Sequence, residues 1–192
     1  MTEREKLEQG MWYDANYDEE LCAARVSAAE ITFDFNQTRP GDAERREELL
    51  RKLLGSVGEN VEVLSPLQVD YGCNISLGSW SFINHGAYLM DCAPISIGSH
   101  VFIGPNFGAY TAQHPLVADE RNQGLERALP ITIEDDVWIG GDVKVMPGVT
   151  IGRGSVIGAG SLVTRDIPAG VIARGVPCKP IRPITDADRV GK

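Results

Sequence analysis

The chain has 192 residues, a length for one domain or one domain with a small appendage, and enough to bury a core without disulfide staples. Its 21 glycines exceed ordinary usage while aromatics make up only 7%. Collagen is excluded because no glycine recurs at every third position, and long stretches rich in Ile and Val exclude lasting disorder. Eighteen basic against 27 acidic residues leave a formal charge of −9, the opposite of a nucleic-acid footprint.

No apolar run approaches the roughly 18 residues of a membrane span, and Met1 leads into charges rather than a signal-peptide core, so no membrane partner is expected. Cys22, Cys73, Cys92 and Cys178 show neither C-x-x-C spacing nor a small-domain framework. They read as free thiols in a reducing compartment, which points to a cytoplasmic protein.

Residues 1–60 read as a helical N-terminal cap region. Thr2 with Glu5 fits a capping box. A second helix starts near Asp18 and runs through Leu21, Ala24 and Ala28 to about Asn36. A third follows Pro40-Gly41-Asp42, with Glu44, Glu47 and Glu48 early and Arg51 and Lys52 late, the polarity a helix dipole prefers. Leu49, Leu50, Leu53 and Leu54 give that helix one apolar face, which is expected to cover another part of the molecule.

From about residue 69 a six-residue phase takes over. It runs Leu77, Ile83, Leu89, then after a two-residue slip Ile97, Ile103, Ala109, and resumes as Ile133, Ile139, Val145, Ile151, Ile157 and Val163. Gly follows many of these positions, and a small or β-branched residue stands four places on, as at Ser81, Val101, Val143 and Ser161. A hexapeptide repeat is the signature of a parallel β-helix, each unit one short strand and a corner, with glycine expected to relieve the corner. The domain spans 61–184, with a tail at 185–192. Residues 110–130 break the repeat without changing its phase, which predicts a loop that leaves the solenoid and returns.

Of three histidines, His100 falls at an outward strand position and His85 at a corner, while His114 stands at the root of the loop. A histidine near its ordinary pKa can take a proton from a hydroxyl and pass it on, as acyl transfer requires. No Ser-nucleophile arrangement accompanies it, which favours direct transfer. A local basic cluster, Arg165, Arg174, Lys179 and Arg182 against Asp166, fits an anion despite the overall acidity.

Asp70-Tyr71-Gly72-Cys73-Asn74-Ile75, Asn84, Leu89-Met90-Asp91-Cys92, Tyr110-Thr111-Ala112-Gln113-His114-Pro115, Val137-Trp138-Ile139-Gly140-Gly141 and Gly175-Val176-Pro177 occur in this order. In these segments the chain resembles the maltose and galactoside O-acetyltransferases of the hexapeptide-repeat superfamily, over nearly its whole length. The resemblance implies a mainly β fold: a left-handed parallel β-helix of hexapeptide repeats with a helical N-terminal segment and a protruding loop. It also implies a homotrimer with active sites between subunits, and acetyl-CoA as co-substrate with no metal.

Carried onto this sequence, the resemblance makes His114 the general base that deprotonates a sugar hydroxyl for attack on the thioester of acetyl-CoA. Asn84 becomes a side-chain amide near the reaction centre, and Gly141 a backbone oxyanion donor. Asp70, Asp91 and Asp14 become acceptor-binding carboxylates. Trp138, Ala159, Thr164, Arg165, Lys179 and Arg182 line the cofactor. Glu126 is a candidate to orient His114 from the loop. His85-Gly86 departs from the family pattern and leaves the acceptor open. The alternatives are a xenobiotic or amino-acid O-acetyltransferase on the same scaffold and a non-enzymatic β-solenoid.

Overall fold

The computed structural model describes residues 1–191. Three helices occupy the N-terminal region. Helix α1 (Glu3–Glu8) carries the full capping box: the Thr2 hydroxyl accepts the Glu5 N–H at 3.1 Å and the Glu5 carboxylate accepts the Thr2 N–H at 2.8 Å. Helix α2 (Glu19–Gln37) is N-capped by Asp18, and α3 (Ala43–Leu53) by Asp42. Leu49, Leu50, Leu53 and Leu54 are all buried.

The rest is a solenoid of parallel strands on three faces. The first face stacks Ser56–Val57, Ile75–Leu77, Ile95–Ile97, Ile131–Ile133 and Thr150–Ile151. The second begins with Glu62–Val63 and Phe82–Ile83 and continues through Phe102–Ile103, Trp138–Ile139, Val156–Ile157 and Val171–Arg174. The third stacks Leu67–Val69, Ala87–Met90, Gly108–Tyr110, Lys144–Val145 and Leu162–Val163. Every one of the twelve phased aliphatic residues is 3% exposed or less, and in-register pairing stacks them in columns such as Leu77–Ile97–Ile133–Ile151. Burial of each Val, Leu or Ile side chain among them contributes roughly 1.5–3 kcal/mol. The first coil begins at Ser56, slightly inside the expected cap, because Val57, Val63 and Val69 already keep the six-residue step before the slip to Leu77.

The phased glycines have a different cause from the one expected. Gly78, Gly98, Gly104, Gly140, Gly152 and Gly158 do not adopt positive φ. Their constraint is stacking: a Cβ on Gly78 would lie 2.4 Å from the Gly98 carbonyl carbon, and one on Gly140 2.6 Å from the Ala159 nitrogen. The left-handed corner positions fall two residues further on, at Trp80, His100, Asp136 and Gly154 among others. His100 therefore sits in a corner, not on a strand, with its ring stacked on Trp80.

A solenoid has an open end whose backbone groups invite another strand. Here the helical cap closes it with side chains. Arg51 of α3 donates to the Val57 carbonyl at 2.6 Å and Arg46 to the Val63 carbonyl at 2.9 Å. Asn36 of α2 bonds both the N–H and the carbonyl of Leu67, as a paired strand would. At the other end Lys179–Pro183 folds back antiparallel on Val171–Arg174. No helix among the described residues is long and apolar enough to cross a membrane, and all four cysteines are free.

Candidate active site

The 110–130 insertion is a β-hairpin. Ala112–Gln113 pairs antiparallel with Leu125–Ala128, whose other edge pairs with the N-terminal strand Tyr13–Asp14. Residues 110–130 thus carry their own order, anchored by the cap. His114 follows the first hairpin strand and is half-exposed. Its Nδ1 lies 3.1 Å from the Leu125 carbonyl oxygen. A carbonyl only accepts, so Nδ1 carries the proton and Nε2 carries the free lone pair. That is the tautomer a proton acceptor needs.

Glu126, at 9% exposure, places Oε2 3.7 Å from His114 Nε2. The Leu125 carbonyl, not Glu126, orients the ring. The other Glu126 oxygen accepts the hydroxyl of Tyr13, which is fully buried. Cys92, buried at the next corner, donates toward Asp70 Oδ2 at 3.4 Å, and Tyr88 donates to Asp70 Oδ1 at 2.6 Å. Burial pushes the Cys92 thiol and the Tyr13 phenol well above their ordinary values, with the neighbouring carboxylates adding to it. Both remain neutral donors at any working pH. Tyr71 is pushed up to about 12, chiefly by burial, against the pull of Arg25, whose guanidinium donates to its hydroxyl at 2.7 Å.

The carboxylates expected to meet the acceptor have unequal standing. Asp70 is half-buried beside Cys92 and Tyr88. Asp14 lies opposite Leu125 and spends Oδ1 on the N–H groups of Asn16 and Tyr17. Asp91 is a correction. It is 0% exposed, and its oxygens accept the N–H groups of Asp70 at 3.0 Å, Tyr71 at 2.8 Å and Asn74 at 3.2 Å. Such a carboxylate is a structural clamp with no face toward a ligand, although burial raises its pKa against those bonds.

The remaining site residues lie elsewhere. Asn84, Gly104, Gly140 and Gly158 stack along the edge where the second face turns into the third. Gly141 and Ala159 follow on that edge. The Gly141 carbonyl accepts the Gly160 N–H at 2.9 Å, while the Gly141 N–H donates to no backbone acceptor among the described residues. The Asn84 side-chain oxygen takes the His85 N–H at 2.8 Å. Trp138, 57% exposed, stands on the outer second face beside Phe102 at 53%. His114, Asp70 and Thr164 belong to the opposite edge, where the third face turns into the first. One chain therefore does not join Asn84 and Gly141 to His114.

At the far end a cleft of about 580 Å³ is lined by Thr164, Arg165, Pro177, Cys178, Lys179 and Pro180. Arg165 and Lys179 are exposed. Arg182 is not free: Asp188 takes it through two bonds of 2.7 and 2.6 Å, which hold the Asp188 carboxyl well below the usual range. Tyr13, Tyr71, Tyr88, Cys92 and Arg25 were not candidates from sequence. Their only signal is proximity across the fold.

Comparison with known proteins matches these features. Residues 6–58 fit the maltose acetyltransferase hexapeptide capping motif, and residues 130–165 fit the bacterial transferase hexapeptide model of six repeats. The structure resembles a maltose O-acetyltransferase from Clostridium difficile 630, with 45% identity, a TM-score of 0.95 and coverage of 97% of this chain and 99% of that one. A galactoside acetyltransferase in complex with coenzyme A gives 39% identity and a TM-score of 0.95 over 100% of this chain and 96% of that one. A hexapeptide-repeat acetyltransferase from Vibrio cholerae, complexed with acetyl coenzyme A, gives 39% identity and a TM-score of 0.89 over 97% and 100%. Cap, repeats and near-complete structural overlap agree, and the chain is an acetyltransferase belonging to the maltose and galactoside O-acetyltransferase family.

Proposed function

We propose that the protein transfers the acetyl group of acetyl-CoA directly to a sugar hydroxyl, with His114 as general base. The observation that carries this reading is the 3.1 Å approach of His114 Nδ1 to the Leu125 carbonyl oxygen, which calls for the proton on Nδ1 and leaves Nε2 as the acceptor. Nε2 takes the proton as the hydroxyl oxygen attacks the thioester carbon, and returns it to the thiolate as the C–S bond breaks. The Gly141 N–H faces the developing oxyanion. Asn84 holds the reacting end with its amide.

Asp70, with Cys92 beside it, and Asp14 hold sugar hydroxyls. Arg165 and Lys179 receive the cofactor phosphates, Ala159 and Thr164 flank its chain, and Trp138 walls it. Arg182 joins them by exchanging Asp188 for phosphate. Because His114 and Asn84 occupy different edges of the solenoid, a complete site needs the His114 edge of one copy against the Asn84 edge of another, as in a homotrimer. The test is thiol release from acetyl-CoA across a panel of sugars, thiogalactosides, serine and chloramphenicol, with His114→Ala alongside. Sugar-dependent release lost in the variant supports the reading. Release with serine or chloramphenicol alone would replace the acceptor class, and full activity of the variant would remove the base.

A further inference from the structure

Two consecutive loop residues address the two nitrogens of His114. The Leu125 carbonyl binds Nδ1, and the Glu126 carboxylate stands 3.7 Å from Nε2. At that separation the carboxylate is close enough to feel the ring and too far to bond it. A free carboxylate beside a protonatable nitrogen closes to about 2.8 Å and holds the imidazolium as an ion pair, which removes the base. Something keeps Glu126 back.

Tyr13 lies directly opposite Glu126 in the antiparallel pairing, is 0% exposed, and donates its hydroxyl to Glu126 Oε1. We propose that Tyr13 is a positioning residue: its hydroxyl holds the Glu126 carboxylate off His114 Nε2 and so keeps that lone pair open to the acceptor hydroxyl. The inference rests on His114 being the base. It assigns the N-terminal cap a part in the chemistry beyond closing the solenoid. The groups that face Glu126 are Tyr13 from the N-terminal strand, Tyr71 from the first corner, Cys92 from the next, and His114 from the hairpin, with Asp70 on the other side of the Cys92 thiol. Arg25 of α2 stands behind Tyr71, its guanidinium spent on the Tyr71 hydroxyl and the Ala15 carbonyl, so it does not reach Glu126. Burial keeps the Tyr13 phenol protonated, so the restraint persists across the working pH range.

The experiment is the pH profile of kcat/KM for the acceptor at saturating acetyl-CoA. In Tyr13→Phe the released carboxylate stabilises the imidazolium, so the acidic limb moves to higher pH by about one unit, a roughly tenfold loss on that limb. The KM for acetyl-CoA stays in place. Glu126→Gln moves the limb to lower pH, and Tyr13→Phe adds no shift in the Glu126→Gln background. A limb unmoved by Tyr13→Phe, or a shift that persists without the carboxylate, overturns the inference. Glu126→Gln carries the test on its own if Tyr13→Phe fails to fold: a limb it leaves unmoved is also fatal. His114→Ala separates the two readings, since full activity there removes the base whatever Tyr13 does.

Discussion

Removal of the Asp91 carboxylate is expected to cost stability rather than acceptor affinity. In Asp91→Ala the N–H groups of Asp70, Tyr71 and Asn74 lose their acceptor at a site with no solvent exposure. Each buried donor left unpaired costs about 1–3 kcal/mol, so local relaxation still leaves a loss of roughly 3–5 kcal/mol. For a chain of this length that lowers Tm by about 6–20 °C. Asp91→Asn grades the effect. Its oxygen can keep the two bonds made by Oδ1, to Asp70 and Tyr71, while its NH2 meets the Asn74 N–H as donor against donor. About 1–2 kcal/mol is lost there. Thermal unfolding by circular dichroism, with acceptor kinetics on the folded protein, reads both quantities. An unchanged Tm with a raised acceptor KM would mean that the carboxylate meets the sugar and that the clamp is misread.

Arg165→Ala and Lys179→Ala each raise the KM for acetyl-CoA about five- to twentyfold with no change for the acceptor, and salt narrows the difference, as for surface phosphate contacts; an acceptor effect instead would displace the phosphate assignment. Gly140→Ala drives a Cβ to 2.6 Å from the Ala159 nitrogen and costs about 1–3 kcal/mol by forcing coils apart, whereas Gly154→Ala meets nothing within 4 Å and costs about 1–2 kcal/mol through its φ of +67° alone. Denaturant unfolding reads both losses and hydrogen exchange distinguishes them, since only the first loosens the neighbouring coil; equal exchange in the two variants would contradict the stacking constraint. The Glu3 carboxyl, held below its ordinary value by the Lys6 ammonium and the Asp14 N–H, stabilises the N-terminal strand above the unfolded pKa and loses that contribution as pH falls through the lowered folded value. Faster exchange of the Asp14 amide as pH falls below the ordinary glutamate range checks it, and exchange independent of pH after correction for intrinsic rates contradicts it.

Much of the fold was legible in the sequence because each local rule agreed with the next. Thr2, Asp18 and Asp42 cap the three helices as their positions imply, and the twelve phased aliphatics all point inward. The reason for the phased glycines was not legible, since φ and inter-coil distance leave the same residue at the same step. The hairpin in 110–130 was hidden too, because its strands are short and its outer edge pairs with Tyr13–Asp14, more than a hundred residues away in sequence. Asp91 misled because a carboxylate beside a corner looks alike whether it faces a sugar or three backbone amides. His114 stands out in the sequence by its place at the loop root, whereas Tyr13, Tyr71, Tyr88 and Cys92 are brought to Glu126 and Asp70 only by the fold.

Mixing two inactive variants tests the central claim most directly. His114→Ala keeps the Asn84 edge and Asn84→Ala keeps the His114 edge, so random reassembly of equal amounts rebuilds intact sites between copies. Sugar-dependent thiol release should return to about a quarter of the wild-type rate, the chance that both intact edges meet at one interface. Recovery no greater than the sum of the separate variants would contradict a site shared between subunits.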